Sequence, residues 1–159
     1  MKLEKMNRLF VIIITIVGMG YLLSACDSKN DAKTHYNLGL LYGRQGKLED
    51  AIAELQQVIQ IDPKHLQAHF NLGVIYQNQG KLEDAIAELQ QAIQIDPNLA
   101  PAHYNLSCIY SLKNEQAQAI EWLQKAIALD QSRIEKSKTN TDFDNIRQSP
   151  EFQQLINSE

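Results

Sequence analysis

Apolar residues recur at steps of three and four along most of the chain. Leu38, Leu41 and Tyr42 mark one stretch, and Leu48, Ala51, Ile52, Leu55 and Ile59 mark the next. That is the period of an α-helix with one buried face, and it predicts paired helices. Between the two stretches stands Gly46, where a left-handed residue closes the first helix without a Cβ penalty. Pro63 ends the second, because it cannot donate the next hydrogen bond and pushes its predecessor out of the α region. Glu49 and Asp50 place negative charge in the first turn of the second helix, where the helix dipole favours it.

The pattern repeats with a period of 34 residues. Gly46 to Leu55 recurs letter for letter as Gly80 to Leu89. The same shift carries His35-Tyr36-Asn37-Leu38-Gly39 onto His69-Phe70-Asn71-Leu72-Gly73 and then onto His103-Tyr104-Asn105-Leu106-Ser107. Self-similarity at this period predicts stacked helix hairpins, with units at 32–65, 66–99 and 100–133. The third unit departs from the others. Ser107 replaces glycine, Asn114 takes the turn position and tolerates a left-handed conformation, and Gln131 replaces proline, so the last helix runs on or restarts through Ser132 to Lys138. Residues 134–159 are expected to cap the stack, with Phe143, Ile146, Phe152 and Leu155 covering the open end of the core and Pro150 starting a short helix.

These positions resemble the tetratricopeptide repeat (TPR), whose signature pairs Leu-Gly with a tyrosine three residues later, a spaced alanine and a late proline. Here they are Leu38-Gly39, Tyr42, Ala51 and Pro63, repeated as Leu72-Gly73, Tyr76, Ala85 and Pro97. Asp142 to Phe152 also resembles a tail that closes groups of such repeats. The resemblance implies an all-α fold, a short α-solenoid of three hairpins with a C-terminal cap. Gly39 and Ala51 would let the paired helices approach closely, with Tyr42 and Leu55 filling the space beside them.

The first 25 residues follow a different pattern. Lys2, Lys5 and Arg8 precede a nearly unbroken apolar run from Leu9 to Leu23, and Ser24-Ala25 supplies small residues before Cys26. This is the three-part layout of a secretory signal, and the run is shorter than the roughly 20 residues of a spanning helix. Leu23-Ser24-Ala25-Cys26 resembles the lipobox of bacterial lipoproteins. That resemblance implies cleavage before Cys26, a diacylglyceryl group on its Sγ and further acylation, such as palmitate, of the new amino group. Residues 26–31 would be the acylated cysteine and a polar tether, and the body would lie on a bacterial membrane, facing the periplasm or the exterior. Asp27 resembles an inner-membrane retention signal of some bacteria, which leaves the choice of membrane open.

Charge narrows the partners. The chain carries −4, and without Lys2, Lys5, Arg8 and Glu4 the remainder is near −6. No basic stripe suits nucleic acid. Cys108 is the single cysteine besides Cys26, so no intramolecular disulfide is expected, and Cys108 reads as a small apolar helix residue in preference to a reactive thiol or an intermolecular bridge. His35, His69 and His103 are separated by the repeat and would lie about 10 Å apart on successive hairpins, too far for one metal. No phosphate loop or nucleophile motif is present, so no cofactor, metal, catalytic residue or small-molecule substrate is expected.

The family resemblance implies a concave groove lined by the first helix of each hairpin. Its candidate residues are Tyr36, Asn37, Leu40, Arg44, Phe70, Asn71, Val74, Gln77, Tyr104 and Asn105, with Gly43, Cys108 and Ser111 continuing it. Two readings of the Tyr/Phe-Asn rows remain open: an amide ladder holding the backbone of an extended peptide, or positions that serve packing. The expected function is a protein-protein interaction scaffold in the cell envelope. The alternatives are a self-associating structural protein and a non-catalytic accessory subunit of an envelope enzyme complex.

Overall fold

A computed structural model describes residues 29–157. The expected signal at 1–25, the lipid site Cys26 and the first tether residues lie outside the described residues. All regular structure among the described residues is helical, as the fold class required. No described helix is long and apolar enough to cross a membrane. The chain divides into two compact units, ending and starting at Pro63 and Lys64.

The first unit holds one hairpin. Helix α1 covers residues 29–44 and α2 runs Leu48–Ile61. Residues 29–31, expected as tether, are helical instead, and Thr34 Oγ1 donates to the Asn30 carbonyl at 3.0 Å in the first turns. The turn is a Schellman closure: Gly46 N–H donates to Gly43 O at 3.1 Å, and Lys47 N–H to Tyr42 O at 3.0 Å, with Gly46 at φ 73°. Ala51, Leu55 and Val58 face inward from α2.

The second unit contains α3 (Leu66–Asn78), α4 (Leu82–Ile95), α5 (Ala100–Leu112), α6 (Gln116–Leu129), α7 (Arg133–Thr139), a 3₁₀ turn at Thr141–Phe143 and α8 (Pro150–Asn157). The same closure recurs at both of its hairpin turns. Lys81 N–H reaches Tyr76 O and Glu115 N–H reaches Tyr110 O, each at 2.9 Å, while Gly80 (φ 71°) and Asn114 (φ 60°) take the left-handed position. Without a proline after α6, the chain turns at Asp130 and restarts as α7, where Arg133 Nε binds Asp130 at 2.8 Å. His65, in the loop before α3, caps that helix: its Nδ1 accepts from Ala68 N–H at 3.2 Å.

Packing of α3 on α4 depends on Gly73. A Cβ there would stand 2.7 Å from Leu89 Cγ, so only glycine permits this approach. The core gathers Leu89, Leu106, Ile109 and Leu123 from the hairpins with Phe143, Ile146, Phe152 and Ile156 from the C-terminal segment. Of the four expected cap residues, Phe143, Ile146 and Phe152 are buried and Leu155 is partly buried.

Candidate functional site

On α1, in the first unit, Tyr36 and Leu40 are half-buried while Asn37 and Arg44 are exposed. In the second unit the matching positions of α3, Phe70, Asn71, Val74 and Gln77, are all half-exposed. Helix α5 is different: Tyr104, Cys108 and Ser111 are buried and Asn105 is half-exposed. Tyr104 is only 7% exposed, which corrects its expected place in an open groove.

The cause is the chain's own C-terminal segment. Phe143 packs edge-on against the Tyr104 ring with centroids 5.8 Å apart. Asn140 Nδ2 donates to the Tyr104 hydroxyl at 3.1 Å and to Cys108 Sγ at 3.3 Å, and Asn145 Nδ2 donates to the Ser111 carbonyl at 3.3 Å. Arg147 fixes the bend. Its guanidinium donates to the carbonyls of Ser137, Lys138 and Asn140 and to Asp144 Oδ1, and Gln153 Nε2 holds the Arg147 carbonyl at 2.7 Å. From this segment Asp142 reaches back to α3, where Gln77 Nε2 donates to its Oδ2 at 3.4 Å. The C-terminal segment therefore lies along α5 and borders the accessible α3 row.

Burial sets the chemistry here. It pushes the Cys108 thiol far above its usual range, with the Asp142 charge adding to the effect. Burial likewise raises the Tyr104 phenol, and the hydrogen bond from Asn140 opposes it. Neither group is activated as a nucleophile.

The histidines have partners that sequence reasoning missed. His35 Nδ1 lies 2.6 Å from Glu54 Oε2, and His69 Nδ1 lies 2.7 Å from Glu88 Oε2, each bridging the two helices of one hairpin. In the third repeat Trp122 stands where the first two have glutamate. His103 stacks at a tilt on Trp122 with centroids 5.4 Å apart, turns its Nε2 to the Pro97 carbonyl at 2.9 Å, and leaves Nδ1 buried without a hydrogen bond. The repeated separation of 19 residues between histidine and glutamate was the available signal. No three His, Cys, Asp or Glu side chains converge as metal ligands among the described residues.

Comparison with known proteins agrees with this geometry. The crystal structure of MamA superposes with a TM-score of 0.69 at 24% identity, over 86% of this chain and 78% of that one. YrrB, described as a TPR protein with an unusual peptide-binding site, gives 0.63 at 22% identity over 77% and 69%. The first TPR of Spaghetti (RPAP3), bound to the HSP90 peptide SRMEEVD, gives 0.63 at 17% identity over 79% and 90%. No curated protein matches the sequence. The first two likenesses, like the third, speak to fold. Two tetratricopeptide repeat profiles match residues 36–100 and 79–136, and because together they run through more than half of the sequence, the chain belongs to the tetratricopeptide repeat family.

Proposed function

We propose that this chain is a non-enzymatic, membrane-anchored lipoprotein scaffold of the bacterial envelope that holds a peptide or helix from another protein on the inner face of its repeats. One observation carries the reading. The inner face of α5 already takes a polypeptide segment, the chain's own residues 140–146, while the equivalent face of α3 remains accessible through Phe70, Asn71, Val74 and Gln77. These residues combine apolar contact with amides that can donate and accept, which suits peptide groups. Solved relatives give support, since YrrB is described by a peptide-binding site and the Spaghetti domain was solved with a peptide. The anchor rests on the basic start, the apolar run and the Leu23-Ser24-Ala25-Cys26 motif. Two or three acyl chains would make it lasting, since each buried CH₂ contributes about 0.8 kcal/mol.

The test is a crosslinked pull-down from membranes with the native chain and a Val74→Asp variant of unchanged helicity. Loss of a specific partner in the variant is expected, and an unchanged partner set would overturn the groove. Palmitate labelling should disappear in Cys26→Ser, with release of the chain from membranes. Persistent labelling would refute the anchor.

A further inference from the structure

We infer that Asp142, carried to the α3 row by the C-terminal segment, is a specificity-determining residue that takes a lysine or arginine side chain of the bound polypeptide. The inference rests on the groove reading above. Asp142 is held in place by a dense local frame. Its backbone N–H donates to Asn140 Oδ1 at 3.0 Å, Asn140 is tied to Tyr104 and Cys108, and Arg147 Nη2 donates to the Asn140 carbonyl at 2.6 Å. A carboxylate positioned this way loses little conformational freedom on meeting a ligand.

Its own demand for positive charge is unmet. The carboxylate is half-buried, and the Gln77 amide that faces it stands at 3.4 Å, the far end of hydrogen-bond range. Neither α3 nor α5 contains a lysine or arginine. Four basic side chains of the second unit pair with other acids: Arg133 with Asp130 and Arg147 with Asp144, each at 2.8 Å, Lys138 with Glu135 at 2.6 Å, and Lys113 with Glu115 at 3.0 Å. Asp142 is in no ion pair among the described residues. The Cys108 thiol, held protonated chiefly by burial with Asp142 adding to the effect, is a neutral neighbour that brings no positive charge.

The fitting partner is therefore a segment with one basic residue flanked by apolar ones. The apolar side chains would lie on Phe70 and Val74, one helical turn apart on α3, and the basic side chain would reach Asp142. An acidic segment would meet like charge there and be rejected.

The experiment uses the full chain against an array of terminally blocked nine-residue Leu/Ala peptides, each position replaced in turn by Lys, Arg, Gln or Glu. The native chain should prefer Lys or Arg over Gln at one fixed position by about fivefold, the size of a part-exposed charge pair, and less in high salt. Asp142→Asn keeps the side-chain shape and should bring that ratio to about one while leaving the Gln peptides bound as before. A native chain with no basic preference, or a preference that survives Asp142→Asn, overturns the Asp142 assignment and leaves the groove standing. Peptide binding that is absent, or that is indifferent to Val74→Asp, overturns the groove and this inference with it.

Discussion

Gly73→Ala sets two known effects against each other. In an exposed helix the change stabilises by about 1 kcal/mol, because alanine loses less backbone entropy. Here the new Cβ falls 2.7 Å from Leu89 Cγ, 2.9 Å from Leu89 Cδ2 and 3.3 Å from the Ala85 carbonyl oxygen. Leu89 is 0% exposed, so it cannot swing into solvent. Moving such a side chain or parting the helices costs about 1–3 kcal/mol, which leaves a net loss of about 0–2 kcal/mol. The single variant alone decides little. The decisive measurement is a double-mutant cycle with Leu89→Ala, read from urea unfolding by circular dichroism. With Leu89 gone the clash is gone, so Gly73→Ala should become stabilising by up to about 1 kcal/mol, and the coupling should be about 1–3 kcal/mol. Gly39, where the nearest Leu55 atom is 3.0 Å away, should show the same sign and a smaller value. If Gly73→Ala stabilises equally in both backgrounds, close approach is not what glycine provides.

Two further predictions test the buried chemistry. In a Cys26→Ser chain, Cys108 should react with a thiol reagent only as fast as the protein unfolds, because burial and Asp142 hold the thiol protonated; reaction at the rate of the denatured chain would refute this. Nitrogen-edited NMR of the neutral imidazoles should show protonated Nδ1 in His35 and His69, which donate to carboxylates, and protonated Nε2 in His103, which donates to the Pro97 carbonyl. One shared tautomer in all three would refute the repeat-specific pairing.

The hairpins were legible because local signals agreed. Period, turn glycine, terminal proline and a letter-for-letter repeat all placed helix ends within a residue or two. Even the irregular turn followed, since Asn114 adopts the left-handed conformation its type allows. The histidine pairs were readable in principle, because Glu54 and Glu88 repeat with their partners. Asp142 was not readable as part of the α3 row. Its position depends on where the C-terminal segment docks, and contacts such as Gln77 to Asp142 span 65 residues of chain.

The groove reading of Tyr104 went astray for the same reason, and the third repeat's departures show how. Phe143 was rightly assigned to the core, but it reaches the core by lying on the inner face of α5, so it covers Tyr104. Two of the positions that differ from the first two repeats, 108 and 111, are touched by the segment. Leu40 and Val74 become Cys108, small enough for Asn140 to approach its sulfur at 3.3 Å. Gly43 and Gln77 become Ser111, whose backbone carbonyl accepts from Asn145 Nδ2. An aliphatic residue at 108 could not accept from Asn140. At positions 108 and 111 the third repeat's substitutions thus coincide with the inner face that the chain's own segment covers, while Phe70, Asn71, Val74 and Gln77 on α3 stay partly accessible.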